Sequence, residues 1–248
     1  MRIATWNVNG MRAREAEFLE WVTVDRPDIV CLQEIKAEPT QLSAHLCNLS
    51  NYRCYWHGGK GYSGVALHLR KDAFPDDPSF SHPDFDHEHR IVEVELGATI
   101  VASIYVPNGG KDFPAKMRFL EALDRHVLAL HAAGKTVVLC GDFNVTREER
   151  DVHPQERKPG AIGQRPEERE LFARILSRGL EDLGRAFDPD NDSLFTWWAP
   201  WRNMRHRNIG WRLDYVLASR ELIAKRCEVF PEIGTSDHAP VVAELTLA

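Results

Sequence analysis

Short apolar runs, each closing on polar residues of unusual kinds, constrain the fold of this chain more than any other feature. "RIATWNVNG" closes on two asparagines and "DIVCLQE" on Glu34. "TIVASIYVPNGG" closes on Tyr105 and Asn108, and "TVVLCGDFNV" on Asp142 and Asn144. "WRLDYVLAS" carries Asp214 inside it. "TSDHAPVV" opens with Asp237 and His238, ahead of Val242, Glu244 and Thr246 alternating with Ala243, Leu245 and Leu247. Runs of this length and alternation read as strands. Between them lie segments with apolar residues at helical spacing. Phe18, Leu19 and Val22 fall in 14–25, and Phe119, Leu120, Leu123, Val127 and Leu130 in 116–133, where Gly134 supplies a C-terminal cap. A third segment, 167–178, is framed by Pro166 and Gly179. Strands interleaved with helices, with further β-rich stretches at 64–69 and 90–95, predict layered sheets flanked by helices.

Neither a repeat nor a low-complexity tract divides the 248 residues, so one domain over 1–248 is expected. Hydrophobic content of 43 % supplies material for a core. No signal-peptide stretch or membrane-length apolar run is visible, and the five cysteines form no Cys-x-x-Cys pair. Reduced thiols in a soluble protein of the bacterial cytosol are therefore expected. The net charge of −6 argues against nucleic-acid binding over the whole surface, though not against a local basic face. Two segments read as long loops, functional or mobile: 71–89, rich in Pro, Asp and His, and 147–165, rich in charge. His82, His87 and His89 sit among acidic residues in the first. A Pro-rich loop offers them no rigid support, so they are not read as a metal site.

Any one of the polar strand ends also reads as a turn residue or a helix cap. Six strands delivering Asn, Glu, Asp, Tyr or His to their ends are harder to account for that way, because neighbouring strand ends converge. A ligand set rich in oxygen, without Cys or clustered His, suits Mg²⁺ or Mn²⁺. Such an ion would also offset the repulsion between carboxylates and a phosphate.

In their order and rough spacing, "WNVNG", "LQEIK", "GYSGVAL", "YVPNGG", "GDFNV", "WRLDY" and "SDHAPV" resemble the exonuclease III family of apurinic/apyrimidinic (AP) endonucleases, within the endonuclease/exonuclease/phosphatase superfamily. The resemblance covers nearly the whole chain. It implies an α/β fold, a four-layered sandwich of two mixed β-sheets packed face to face with helices outside. It also implies Mg²⁺-dependent hydrolysis of duplex DNA 5′ to abasic sites, with 3′→5′ exonuclease or 3′-end-trimming activity, by a monomer. Glu34 would be the principal metal ligand, with Asn7 and Asn9 orienting ion and phosphate and Asp237 supporting a metal. Asp142 would align and deprotonate the attacking water, beside Asn144 as donor to the phosphate; both border the metal, as does His238. Tyr105 would contact the phosphate or help the leaving oxygen. His238, held by Asp214, would be a charged donor, and the carboxylate beside it predicts a cationic imidazole at neutral pH.

The stretch 195–214, "FTWWAPWRNMRHRNIGWRLD", holds four Trp and four Arg. Trp198 reads equally as plain core. The resemblance places Trp197, Trp211 and Leu213 around the pocket for a flipped-out abasic sugar, and Trp201 where a wedge enters the base stack. Arg202, Arg205, Arg207, Lys60 and Lys111 are candidate phosphate contacts. Two departures from the family fall at the rim: His89 stands where Gly is usual, and the loop after "YVPNGG" is short. Asn9 stands where some members have Asp. Two other functions use part of the same set. A phosphatase of small phosphoesters would not need the Trp/Arg stretch, and a non-catalytic DNA-binding relative would not need Glu34, Asp142 and His238 together.

Overall fold

The computed structural model describes residues 1–158 and 160–247. The first of its two six-stranded sheets runs, edge to edge, through β11 (Ile223–Val229), β12 (Val241–Thr246), β1 (Arg2–Asn7), β2 (Ile29–Gln33), β4 (Tyr62–Arg70) and β3 (Tyr52–Gly59). The second runs through β5 (Phe80–Ser81), β6 (Ile91–Leu96), β7 (Thr99–Tyr105), β8 (Thr136–Asp142), β10 (Asp214–Ser219) and β9 (Leu180–Asp182). Each sheet holds one parallel pair, β1 with β2 and β7 with β8, among antiparallel neighbours. Parallel neighbours need a crossover. Helix α1 (Met11–Asp25) supplies it in the first sheet and, beyond the short α2 (Ala44–Cys47), α3 (Phe113–Ala132) in the second.

The sheets pack face to face through Ile3, Ile29, Leu67, Val101, Val138 and Val216. On the outer faces, α1 lays Phe18, Trp21 and Val22 over Ala4, Trp6 and Leu32. Helices α3 and α4 (Pro166–Ser177) lay Phe119, Leu123, Leu171 and Ile175 over Ala102, Leu139 and Leu217. This is the four-layered mixed α/β sandwich that the motifs imply. The expected helices 14–25, 116–133 and 167–178 fall on α1, α3 and α4, which begin three, three and one residues earlier. For α3 the reason is a cap: the Asp112 side chain accepts from the Ala115 N–H at 2.9 Å. No helix is long and apolar enough to cross a membrane among the described residues. All five cysteines are free thiols.

Period-two alternation then decides where the polar strand ends point. The inward face of β1 reads Ile3, Thr5, Asn7, and that of β2 reads Ile29, Cys31, Gln33. On β7 it reads Val101, Ser103, Tyr105, and on β8 Val138, Cys140, Asp142. Each inner face therefore passes from apolar to polar toward the same end of the sandwich. A buried hydrogen-bonded ladder marks the change: Thr5 Oγ1 to Gln33 Oε1 at 3.2 Å, Gln33 Nε2 to Ser103 Oγ at 3.1 Å, and Ser103 Oγ to the Leu32 carbonyl at 3.1 Å. The segment 147–165 is better anchored than its composition suggests, because Asp151 and Val152 are fully buried.

Candidate active site

Above that ladder, strands of both sheets deliver their side chains to one cleft of about 390 Å³, lined by Glu34, Tyr105, Asp142, Asn144, Asp237 and His238, among others. Pairing register places Tyr105 opposite Asp142, and Asp142 opposite Asp214. Glu34 follows β2 directly, and His238 precedes β12. Asn9, Glu34, Lys36 and Asn144 all have left-handed backbones, with φ of 45°, 51°, 51° and 52°. Such conformations carry a cost for residues other than glycine, and folded proteins retain them where the surroundings over-determine them, often at functional sites.

Asp214 and His238 form a buried charged pair. Imidazole Nδ1 lies 2.8 Å from Asp214 Oδ2, and Nε2 faces Asp142 Oδ2 at 3.9 Å. Burial alone would make His238 less basic, but the carboxylates of Asp214 and Asp142 outweigh it and raise its pKa to about 10. The imidazole is therefore cationic at neutral pH, as the Asp–His pairing predicts. Asp142 is displaced above the ordinary carboxylate range, first by burial and then by the charges of Asp214 and Glu34, against the pull of His238. Burial would also raise Glu34, yet hydrogen bonds from Asn7 and Lys36 hold it below its usual value. Tyr105 is raised far beyond a free phenol by burial, then by Glu34 and Asp142, so it remains a donor.

The asparagines serve as struts between these charges. Asn7 Nδ2 donates to Glu34 Oε1 and to Asp142 Oδ2, both at 2.9 Å, while its Oδ1 accepts the Asn9 backbone N–H. Asn9 donates to Asp237 Oδ1 at 2.7 Å and accepts from Lys36. The Asn144 backbone N–H donates to Asp142 Oδ1 at 2.8 Å, and its amide is held by Asn108 and by the Val106 carbonyl. Four supporting residues escaped the sequence reading. Lys36 sits 2.7 Å from Glu34 Oε2. Thr196 Oγ1 donates to Asp214 Oδ2 at 2.6 Å and accepts the N–H groups of Leu213 and Asp214. Ser236 Oγ donates to the Asn7 carbonyl, and the Trp6 indole to that of His238. Lys36 alone left a signal, as the basic residue two places after Glu34 in "LQEIK". The rest depend on contacts between distant segments.

One wall of the cleft is apolar and comprises Trp197, Trp211, Leu213 and Ile162. Trp197 and Trp211 meet edge to face, with ring centroids 5.6 Å apart, and the Trp197 indole donates to Asp237 Oδ2 at 3.0 Å. The structure brings these together with the catalytic candidates; Ile162 was not foreseen. Trp198 is core, as its plain reading allowed. Trp201 is 59 % exposed, and Lys60, Lys111, Arg202 and Arg207 are exposed outside the cleft lining. Arg205 is turned inward. Its guanidinium donates to the carbonyls of Pro231, Ile233 and Ser236 and stacks on Trp198, so it braces the loop that carries Asp237.

Ligand atoms of Glu34, Asp142 and His238 lie within 4.8 Å of one another. The cleft also gathers more carboxylates than cations, with Asp214 and Asp237 beside Glu34 and Asp142. That donor set fits a hard divalent cation held chiefly by Glu34 and Asp142. The asparagine amides are committed to neighbouring groups, so they order the carboxylates.

The pattern of the Endonuclease/Exonuclease/phosphatase family matches residues 4–238, and the chain belongs to that family. Within it, the chain is a nuclease of the exonuclease III and AP endonuclease branch. It is 33 % identical to the exodeoxyribonuclease of Bacillus subtilis (strain 168), over 97 % of this chain and 98 % of the relative. A 3′ phosphatase from Neisseria, solved bound to product DNA hairpin, superposes with a TM-score of 0.90 at 29 % identity, over 99 % of both chains. An AP endonuclease from Archaeoglobus fulgidus gives a TM-score of 0.88 at 27 % identity over the full length of both.

Proposed function

We propose that this nuclease hydrolyses the phosphodiester 5′ to abasic sites in double-stranded DNA and also trims 3′ ends, acting as a single-domain cytosolic monomer with Mg²⁺, for which Mn²⁺ can substitute. The observation that carries this reading is the junction of two walls in one cleft. The buried Asp142 and His238, with half-buried Glu34, lie beside the apolar face of Trp197, Trp211, Leu213 and Ile162. A phosphate fits the first wall and a sugar without its base the second. An abasic nucleotide is easily extruded because it has no base pair to lose.

Hydrolysis places new negative charge on the phosphoryl and leaving oxygens. Cationic His238 donates through Nε2 to a phosphoryl oxygen, where the fixed charge stabilises the transition state more than the ground state. Asp142 accepts the proton of the attacking water while Asn7 and Asn144 hold its carboxylate in place. The Tyr105 phenol, kept protonated, donates toward the leaving oxygen. Glu34 and Asp142 would hold the divalent ion, which when bound supplies Lewis-acid polarisation of the phosphate. Attack at phosphorus breaks the bond to the 3′ oxygen and leaves a 3′-hydroxyl and a 5′-phosphate. Exposed Lys60, Lys111, Arg202 and Arg207 are the proposed phosphate contacts of the rim, and Trp201 is the wedge.

The test is gel-resolved cleavage of a duplex carrying one abasic-site analogue, beside an intact duplex and one ending in a 3′-phosphate, with Mg²⁺ and with EDTA. A single Mg²⁺-dependent nick 5′ to the lesion is expected. Removal of the 3′-phosphate without nicking would restrict the activity to 3′ ends. Failure on all three DNAs would move the assignment to a phosphatase of small phosphoesters.

A further inference from the structure

A second cluster of metal-ligating side chains lies apart from the cleft, where edge strands of the two sheets meet. His57 is on β3, and His82 and Asp86 follow β5. One ligand atom from each lies within 4.8 Å of the others. His57 Nε2 is 2.5 Å from Asp86 Oδ2, and the rings of His57 and His82 stack with centroids 3.7 Å apart. His89 packs edge-on to His57 at 4.7 Å. It does so from a left-handed backbone, φ 56°, that a β-carbon disfavours.

The supports that a Pro-rich loop lacks on its own come from neighbouring elements. Nδ1 of His82 lies 3.2 Å from the Ile91 carbonyl, which favours the tautomer whose Nε2 is a bare lone pair, now 2.8 Å from the Tyr55 hydroxyl. Asp86 is 2 % exposed, and its other oxygen accepts the Arg90 N–H at 2.7 Å. Metal-bound histidines and carboxylates are oriented in this way by a second partner.

We propose that His57, His82 and Asp86 bind one divalent transition metal of the zinc class, with His89 or water completing the shell. Two imidazoles and a carboxylate suit Zn²⁺ better than Mg²⁺. Tetrahedral ligands on bonds of ~2.0–2.1 Å stand roughly 3.4 Å apart, so modest side-chain rotation closes the cluster. The ion clasps β3 of one sheet to the β5–β6 connection of the other. It also bears on the catalytic cleft, since Arg90, anchored by Asp86, stacks over Tyr105 at 4.8 Å.

Chelator-stripped protein is titrated with Co²⁺ in millimolar Mg²⁺, which occupies the carboxylate-rich cleft, and read by visible absorption with Zn²⁺ in competition. One equivalent is expected to bind with the visible band of nitrogen-ligated, low-coordinate cobalt and to be displaced by one equivalent of Zn²⁺. Affinity falls at least about tenfold in His57→Gln and in His82→Gln and is unchanged in Glu34→Gln. Loss of binding in Glu34→Gln with retention in His57→Gln overturns the proposal, as does the absence of any such binding. Should the histidine variants misfold by circular dichroism, zinc-edge X-ray absorption of the wild-type protein decides. A shell with two imidazoles upholds the site and an all-oxygen shell refutes it.

Discussion

Two buried charge networks start two residues apart on the same segment and differ in how they close. Arg212 is fully buried and donates to Asp151 at 2.9 Å and to Asp182 at 2.6 Å; Arg185 completes Asp151, and Arg147 completes Asp182. Each carboxylate there meets two guanidinium groups. Asp214 enters the other network, in which the cations in ion-pair contact with Glu34, Asp142 and Asp214, among the described residues, are His238 and Lys36, with Asp237 beside them. One of its oxygens, Asp214 Oδ1, is buried with no hydrogen-bond partner. A closed network holds the chain together. An open, acid-rich one places charge at the disposal of an ion and a substrate.

Removing a carboxylate should separate the two networks most sharply. Asp142→Asn is expected to lower kcat by ~10²–10⁴-fold through loss of the base. Its unfolding midpoint should nevertheless stay level or rise. The native state raises the pKa of Asp142, so the ionised form costs stability above the unfolded value, and the amide removes that cost. A clear fall in urea midpoint would mean that the cleft is also a structural keystone. The matching change in the closed network, Asp151→Asn, should cost ~3–5 kcal/mol in urea unfolding, because Arg185 loses its carboxylate partner and Arg212 keeps one of two. Little loss there would show that the two networks do not differ in kind.

Mg²⁺ tests the open side directly. At 100-fold its Kd it should stabilise the wild-type protein by about 2.7 kcal/mol in thermal unfolding, and Glu34→Gln far less. The smallest effect concerns pH. His238 is protonated below its folded pKa of about 10, so its contribution to activity is full at neutral pH and lost as pH rises through that value. In Asp214→Asn the main counter-charge is gone, and the alkaline limb of kcat/KM should move toward neutrality. An unmoved limb would assign it to another group.

The convergence of Asn7, Glu34, Tyr105, Asp142, Asp214 and His238 was legible because strand alternation and apolar-to-polar runs are local patterns, and each of these residues ends or begins such a run. Pairing order was not legible, since nothing local says that β12 inserts between β1 and β11. Arg205 shows the same limit. In sequence it is one more charge in a basic stretch; only the path of 231–236 shows that its donors are taken. Asp151 read as part of a charged loop because its partners, Arg185 and Arg212, lie 34 and 61 residues away. The loop histidines show it again: the strand residue that meets His82, His57, lies 29 residues from Asp86, so local sequence gives no sign of the contact.

The indole of Trp6 reaches the carbonyl of His238 across 232 residues of sequence. Glu34 and Asp142, meanwhile, belong to opposite sheets. A nuclease that acts on DNA carries a hazard while it is being synthesised. Here Asp142, Glu34 and His238, the proposed base, cation ligand and charged donor, share one cleft only after both sheets have stacked and β12 has paired with β1. Partly folded chains would lack a complete hydrolytic set, so competence to cut DNA is tied to completion of the fold.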